Sequence, residues 1–142
     1  MDTKLLLLAN GTCLTTELTL IQNLLVDYYA GLFSGAVTDY YNWNFNEDGV
    51  TTSSTQYTTT KFTDLTIDWV NEQDQPWFLW LAHNAPHTPF HIPPSEMHSQ
   101  GDLPEYTEGM DGTPYYIAAI EALDYQIVAC WIVCHKMCET IQ

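Results

Sequence analysis

The spacing of apolar residues changes along this chain, and three segments have a readable period. In residues 60–73 apolar side chains recur at helical intervals on one face, while acidic ones occupy the other, which predicts an amphipathic helix. That apolar face holds Phe62, Leu65, Trp69 and Val70. Residues 77–82 are a short continuous apolar run, which is typical of a buried strand.

The third segment begins at Thr113 or Pro114 and extends to Ile127. Its larger apolar residues again have helical spacing and are Tyr116, Ile120, Leu123 and Ile127. Helix, strand and helix in this order predict an α/β fold. The threonine- and serine-rich residues 50–60 predict an exposed hairpin or loop, and residues 95–114, rich in glycine, proline and acid, predict a surface excursion.

Three histidines follow the predicted strand at intervals of four residues: His83, His87 and His91. On a helix this spacing would make a metal-binding stripe. Four prolines exclude a continuous helix here, namely Pro86, Pro89, Pro93 and Pro94. We therefore expect the histidines on a rigid loop at the end of a strand, where open α/β sheets place their ligand sites.

The net charge of the chain narrows its possible partners. Eighteen acidic residues against three lysines give a formal net charge of −15. Without a basic patch, neither nucleic acid nor an anionic membrane surface is an expected partner. The run of four leucines after Lys4 is shorter than the apolar core of a signal peptide and no good cleavage site follows it, so no export signal is expected and the localisation stays unknown.

Three of the four cysteines lie near the carboxyl end, at four-residue spacing beside His135: Cys130, Cys134 and Cys138. One interpretation is a small zinc site. The favoured interpretation is one face of a helix with free thiols, because zinc sites use paired ligands at characteristic gaps and no second pair exists here.

Several ordered blocks resemble the sulfatases of the alkaline-phosphatase-like superfamily. PWFLWLAHNAPHTPF, residues 76–90, resembles their strand and NAPHTP loop, and YYIAAIEALDYQI, residues 115–127, resembles their EALD helix. LFSGAVTDYYNW and KFTDLTIDWVNEQDQPW, residues 32–43 and 61–77, resemble the segments before this strand. The resemblance covers residues 26–127.

The resemblance implies a fold, an activity and the cofactors of an intact relative. The fold would be a fragment of an α/β/α sandwich, and the activity hydrolysis of a sulfate ester, arylsulfatase-like. Intact sulfatases use a formylglycine made within a C-x-P-S-R-type motif and a calcium ion held by acidic residues. Neither motif is present here, so we expect no cofactor or metal in this chain and no activity from it as it stands. Such enzymes are usually exported or lysosomal.

The resemblance also assigns roles in the histidine loop. His87 matches the family histidine that contacts the sulfate and donates a proton to the leaving group. Asn84 and His91 are expected with His87 among the substrate-binding residues. Asn84 would brace the loop or form its turn, and His91 would line the substrate entrance or be an exposed loop histidine. His83 receives no chemical role. Among the nearby aromatic residues, Tyr40, Tyr41 and Trp43 either form a stacking wall for a sugar or aryl group or pack in the core.

Two alternative functions stay open from the sequence. One is hydrolysis of a phosphate or phosphonate ester by a related member of the superfamily. The other is a noncatalytic acidic interaction module. The order of the NAPHTP and EALD blocks favours the sulfatase interpretation.

The resemblance stops at both ends in a way that suggests altered reading frames. Codons for Ala9 to Cys13, read one nucleotide earlier, permit Gly-Lys-Trp-His-Leu, a sulfatase motif with an active-site lysine and histidine. Codons for Val128 to Ile132, shifted alike, permit Gly-Arg-Leu-Leu-Asp, which would continue the EALD helix. We therefore expect one partial sulfatase domain over residues 1–142, with residues 1–25 and 128–142 out of frame.

Overall fold

A five-stranded mixed sheet organises the chain. The computed structural model describes residues 4–10, 26–32 and 36–140, with the backbone alone for 4–10 and 137–140. The strands are β1 (Lys4–Asn10), β2 (Tyr28–Leu32), β3 (Trp43–Glu47), β4 (Val50–Ser54) and β5 (Trp77–Leu81). Their order in the sheet is β4-β3-β2-β1-β5. Strand β1 pairs in parallel with both β2 and β5, so the carboxyl ends of these three strands lie along one edge.

Strand β4 lies in the threonine- and serine-rich tract and forms a hairpin with β3, which precedes that tract. Their two-residue connection is Asp48-Gly49, and both residues have positive φ, 45° and 87°. Two-residue turns with positive φ at both positions best match the twist of the two strands they connect. Glycine adopts a positive φ without steric cost. The Asp48 carboxylate also accepts the backbone N–H of Tyr29 at 2.9 Å, which fastens the hairpin to β2.

Helix α1 (Thr58–Asn71) confirms the predicted amphipathic helix. Phe62, Trp69 and Val70 are buried as expected, and Leu65 packs partly buried against the same core. Four threonines are buried beside them, so the covered face is wider than the apolar pattern indicates: Thr58, Thr59, Thr63 and Thr66. The core joins this face to residues of β2, β3 and α2.

Helix α2 (Thr113–Thr140) begins where predicted and continues past Ile127. Its buried stripe is not the one expected, because Tyr116, Ile120 and Ile127 are exposed. Of the predicted stripe, Leu123 packs partly buried against the core. The residues that pack inward are mostly small: Tyr115, Ala118, Ala119, Ala122 and Gln126. Alanines allow a close approach of α2 to its neighbours, and the amide of Gln126 donates to Thr60 Oγ1 on α1 at 3.0 Å.

By length and composition alone, residues Thr113–Lys136 of α2 could cross a membrane, with a mean hydropathy of 1.6. A single stretch of this kind is weak support for a membrane span, since core helices pass the same test. The expectation of no membrane partner therefore stays a prediction.

Strand β5 confirms the predicted buried strand, but within the described part of the chain only one of its faces is covered. Trp77, Leu79 and Leu81 pack against the core, whereas Phe78 and Trp80 on the other face are 56% and 61% exposed. Residues 4–10 and 128–140, expected to be out of frame, form β1 and the end of α2. Secondary structure does not report the reading frame, so that expectation also stays a prediction.

Candidate functional site

The candidate site lies on the loop that leaves the carboxyl end of β5. Leu81 at the end of β5 is paired in parallel with Leu8 of β1, so the loop starts at the edge where β1 also ends. From there to Pro94 the chain has no regular secondary structure, as the prolines predict. The peptide bonds Ala85-Pro86 and Thr88-Pro89 are both cis.

His87 is exposed at the tip of this loop, and its backbone is held on both sides. Its N–H donates to the Asn84 carbonyl at 2.9 Å, which closes the turn. Its carbonyl accepts the hydroxyl of the buried Tyr40 at 2.7 Å. The ring Nδ1 lies 2.9 Å from the Thr88 carbonyl. The main chain is thus fixed while the imidazole faces solvent, which suits a group that must reach a substrate.

Asn84 is a buried residue of the loop, 3% exposed. Its backbone carbonyl forms the turn with His87, so its contribution to the loop comes from the main chain. Neither polar atom of its side-chain amide has a hydrogen-bond partner among the described residues. A buried amide normally pairs, so this side chain has bonding capacity that the described part of the chain does not use. Its predicted substrate contact stays a prediction.

His91 is half-buried rather than exposed, and two tyrosines hold it. Its Nδ1 lies 3.1 Å from the Pro89 carbonyl and its Nε2 3.0 Å from the hydroxyl of Tyr57. The ring also stacks on Tyr40 with centroids 3.5 Å apart. A carbonyl can only accept, so Nδ1 carries the hydrogen and Nε2 accepts from Tyr57. Burial lowers the pKa of His91, which favours this neutral form.

His83 lies two residues beyond the end of β5 and is partly buried. Its two ring nitrogens are buried, without hydrogen-bond partners in the described ranges. Burial lowers its pKa from 6.5 to about 4, so His83 is neutral at pH 7. The expectation that His83 has no chemical role stays a prediction.

The three aromatic residues of uncertain role separate in the structure. Tyr40 and Trp43 are core residues, 1% and 5% exposed. Tyr41 is 37% exposed, and together with Tyr40 it lines a cavity of about 290 Å³ beside the histidine loop. We call it the Tyr41 cavity, and its walls also include Asp39, Phe90, His91, Glu105 and Tyr106.

Sequence reasoning missed several of these residues. Tyr57, which holds His91, lies in a polar tract predicted to be exposed, and its only signal was an isolated aromatic ring just before a helix. Glu105 and Tyr106 belong to the predicted surface excursion, which the fold returns to the histidine loop. This contact forms because the long connection between β5 and α2 folds back on itself, and no local sequence pattern predicts that.

The described residues do not fit a metal site. Within them, no three histidine, cysteine or acidic side chains are grouped so that they could hold an ion. A calcium ion like that of intact sulfatases would need its ligands from elsewhere. Where side chains are described, Cys130 and Cys134 are thiols rather than disulfide partners, and Cys138 lies outside that part. The zinc interpretation therefore gains no support.

The fold and the loop define a sulfatase-like α/β protein, and comparison with known families agrees. The Sulfatase family model matches residues 21–129. The chain belongs to the sulfatase family. The matched residues nearly coincide with the 26–127 segment identified from the sequence, so the recognition and the fold class are confirmed. No curated protein matches this chain significantly.

Solved structures show the same fold. The chain is similar to Ps i-CgsB, with 20% sequence identity and a TM-score of 0.69 over 94% of this chain and 34% of that one. The same protein in complex with k-i-k-neocarrahexaose gives 19% identity and a TM-score of 0.70, with the same coverage. A candidate sulfatase from Bacteroides fragilis, yidJ, gives 15% identity and a TM-score of 0.60 over 78% of this chain and 29% of that one. The chain thus spans about a third of their length.

Proposed function

We propose that this chain is a segment of a sulfuric ester hydrolase, arylsulfatase-like, in which His87 contacts the sulfate and protonates the leaving oxygen. One observation carries this proposal: the imidazole of His87 is exposed on a loop whose backbone is fixed through Asn84 and Tyr40. Proton transfer by a positioned side chain needs this combination of access and fixed geometry. Family membership makes sulfate the expected anion.

The ring geometry indicates which atom would act. With Nδ1 beside the Thr88 carbonyl, Nδ1 carries a hydrogen and Nε2 is left to face the substrate. As an acid, His87 must carry a second proton on Nε2. The proton then moves from Nε2 to the ester oxygen as the sulfur–oxygen bond breaks.

We further propose that the chain as it stands does not complete this reaction. It has no C-x-P-S-R-type motif, and with three lysines against eighteen acids it offers little to neutralise an anionic ester. Binding and transition-state stabilisation of a sulfate both need preorganised positive charge. Those groups would have to come from the rest of a sulfatase.

The reading-frame hypothesis would supply two of them. In the shifted frame a lysine replaces Asn10 at the end of β1, and a histidine replaces Thr12 just beyond. Strands β1 and β5 are paired in parallel and end at the same edge of the sheet. A lysine at the end of β1 would therefore lie at the edge from which the His87 loop leaves. This placement supports the hypothesis that one nucleotide separates residues 1–25 from a functional sequence.

The first test is an assay of the 142-residue chain with an aryl sulfate. We expect no turnover above that of the His87→Ala variant. Activity that the variant lacks would contradict the proposed inactivity, and would show that the chain holds its own nucleophile.

The second test is accurate resequencing of the gene with several hundred nucleotides on either side. If both frame changes vanish and a C-x-P-S-R or S-x-P-S-R motif joins upstream, the corrected protein should hydrolyse aryl sulfate faster than aryl phosphate. In it, His87→Ala should lower kcat about 100-fold to 10,000-fold. His98→Ala is the matched control, since His98 lies outside the loop, and it should keep wild-type kcat. An equal loss in both variants, or a preference for phosphate, would refute the assignment.

A further inference from the structure

Helix α2 carries most of the large apolar side chains that the described part of the chain leaves exposed. Besides Tyr116, Ile120 and Ile127 they include Tyr125, Val128 and Trp131. An exposed apolar face of this extent marks an interaction site. We infer that a second copy of this chain binds it, with the two α2 helices antiparallel and Trp131 of each copy in a groove of the other.

The groove, which we call the α2 groove, has a volume of about 600 Å³. Residues 96–99, at and just after the 3-10 turn Ser95–Met97, line it together with α2. Its volume lies within the range of ligand pockets, ~300 to 1,000 Å³, so an indole ring and its neighbouring side chains have room to enter. The lining combines apolar side chains with carboxylates, chiefly Met97, Val128 and Ile132 with Glu96, Glu121 and Asp124.

The α2 groove is held open by hydrogen bonds between the loop and the helix that line it. The backbone N–H and the hydroxyl of Ser99 donate to the Glu121 carboxylate at 2.6 and 2.8 Å. The amide of Gln100 donates to the same carboxylate at 3.0 Å, and the amide of Gln126 donates to Met97 Sδ at 3.5 Å. A groove that exists before its partner arrives binds at a lower entropic cost.

The spacing along α2 favours an antiparallel pair. Four residues follow one another at intervals of four, three and four, which places them on one side of the helix: Asp124, Val128, Trp131 and His135. These intervals read the same in both directions. In an antiparallel pair Val128 therefore faces Trp131 of the second copy, and Asp124 faces His135 of the second copy. A parallel pair would instead oppose the two Asp124 carboxylates, which repel each other.

Charge selects a second copy as the occupant of the α2 groove. Three carboxylates line the groove, and neither lysine nor arginine is among its described lining residues. Trp131 is 62% exposed, its ring lies 5.0 Å from that of His135, and Lys136 follows. The segment that carries Trp131 therefore brings hydrogen-bond donors and positive charge to an acidic groove. A lipid bilayer offers those carboxylates no such partner.

The pairing is independent of the sulfatase chemistry and specific to this chain. The family match ends at residue 129, and Trp131 lies beyond it. Each copy has a net charge of −15, so the two copies repel each other at long range. Salt at 0.15 M screens that repulsion beyond ~8 Å, whereas contacts inside the interface are shorter than this. We therefore expect a reversible dimer with a dissociation constant in the micromolar range.

The test is analytical ultracentrifugation of the full 142-residue chain over a concentration series at 0.15 M salt. We expect a monomer–dimer equilibrium, and Trp131→Ala should weaken the dimer about 30-fold or more, the scale of a buried tryptophan anchor. Tyr116→Ala is the matched control, since it removes an exposed aromatic residue of α2 about 20 Å along the helix from the centre of the pairing. It should leave the dissociation constant unchanged.

An exchange of charges tests the antiparallel register, and decides the matter if Trp131→Ala does not fold. His135→Asp should weaken the dimer because it opposes a carboxylate to Asp124 of the second copy. Adding Asp124→Lys should restore the dimer, because opposite charges then face each other again. Both positions are exposed, so the monomer should tolerate these changes.

Three results would overturn the inference: a chain that stays monomeric across the series, a dimer that Trp131→Ala leaves intact, or a dimer that the charge exchange does not restore. A fourth would assign the face to lipid instead. In that case the wild-type monomer would float with phosphatidylcholine vesicles, and Trp131→Ala would not.

Discussion

The two faces of β5 are both apolar but differ in their surroundings. The run Trp77–Leu81 is apolar at every position, as in strands buried on both sides. Towards α1 and α2 its odd-numbered residues are packed, and Trp77 meets Trp69 of α1 edge to face at 6.2 Å. On the opposite side Phe78 and Trp80 are exposed.

The composition of β5 suits a strand that is packed against other elements on both faces. The described part of the chain packs against only one of them. A polar residue at alternate positions would have suited a one-sided strand. The structural matches, of which this chain spans about a third, offer enough further chain to supply the second layer. Stability experiments can separate the two faces directly.

The largest expected effect is on the covered side. Phe62 is 0% exposed and packs on Trp43 with ring centroids 5.4 Å apart, so Phe62→Ala should cost about 3–5 kcal/mol or abolish cooperative unfolding. Phe78→Ala, the same substitution on the bare face of β5, should change the free energy of unfolding by under about 0.5 kcal/mol. Urea denaturation measures both. Similar losses in the two variants would show that the bare face is covered in solution.

The next effect uses a partly buried titratable group beyond the end of β5. Burial lowers the pKa of His83 from 6.5 to about 4. Its neutral form is therefore favoured by folding, and its contribution is complete above pH 6.5 and lost as the pH falls towards 4. Between pH 7 and 5 the free energy of unfolding should fall by about 1–2 kcal/mol from this residue. His91 acts in the same direction.

Urea midpoints at both pH values should therefore differ less in His83→Gln than in wild type. His87→Gln replaces an exposed imidazole and is the matched control, which should keep the full difference. An unchanged pH dependence in His83→Gln would mean that water reaches the side chain of His83.

A smaller effect is expected at the loop. Tyr40→Phe removes the hydroxyl that donates to the His87 carbonyl and should cost about 0.5–1.5 kcal/mol. Amide hydrogen exchange should rise more in the loop around His87 than in α1. A uniform rise in both would indicate that Tyr40 acts only through global stability.

The smallest change in stability is expected on the exposed face of β5, where a substitution should instead change self-association. Trp80→Ser should alter the free energy of unfolding by under about 0.5 kcal/mol. It should reduce self-association in light scattering, because exposed apolar surface on an edge strand promotes contacts between copies. Val50→Ser is the control, an exposed apolar residue on another strand, and should reduce association less.

The sequence predicted the elements whose pattern is local. Helix α1, strand β5 and the start of α2 follow from period, proline and glycine. The proline-bound loop that presents His87 follows from the same rules, with a family resemblance to give the histidine a role. Each of these depends on residues near one another in the chain.

What the sequence did not predict depends on distant partners. The inward face of α2 uses alanines because α1 comes close, and a pattern of large apolar residues points to the wrong stripe. His91 is half-buried because Tyr40 and Tyr57, remote in sequence, enclose it. The Tyr41 cavity likewise needs residues 38–41, 89–92 and 105–106 to meet.

The anchoring of His87 through its backbone has an evolutionary consequence. Asn84 and Tyr40 hold the amide and carbonyl of position 87, and these groups are common to every residue except proline, which lacks the N–H. The loop can therefore keep its shape while the side chain at its tip changes. A lineage could replace the reacting side chain by a single substitution and keep the loop conformation. Inactive and active descendants would then share one loop backbone.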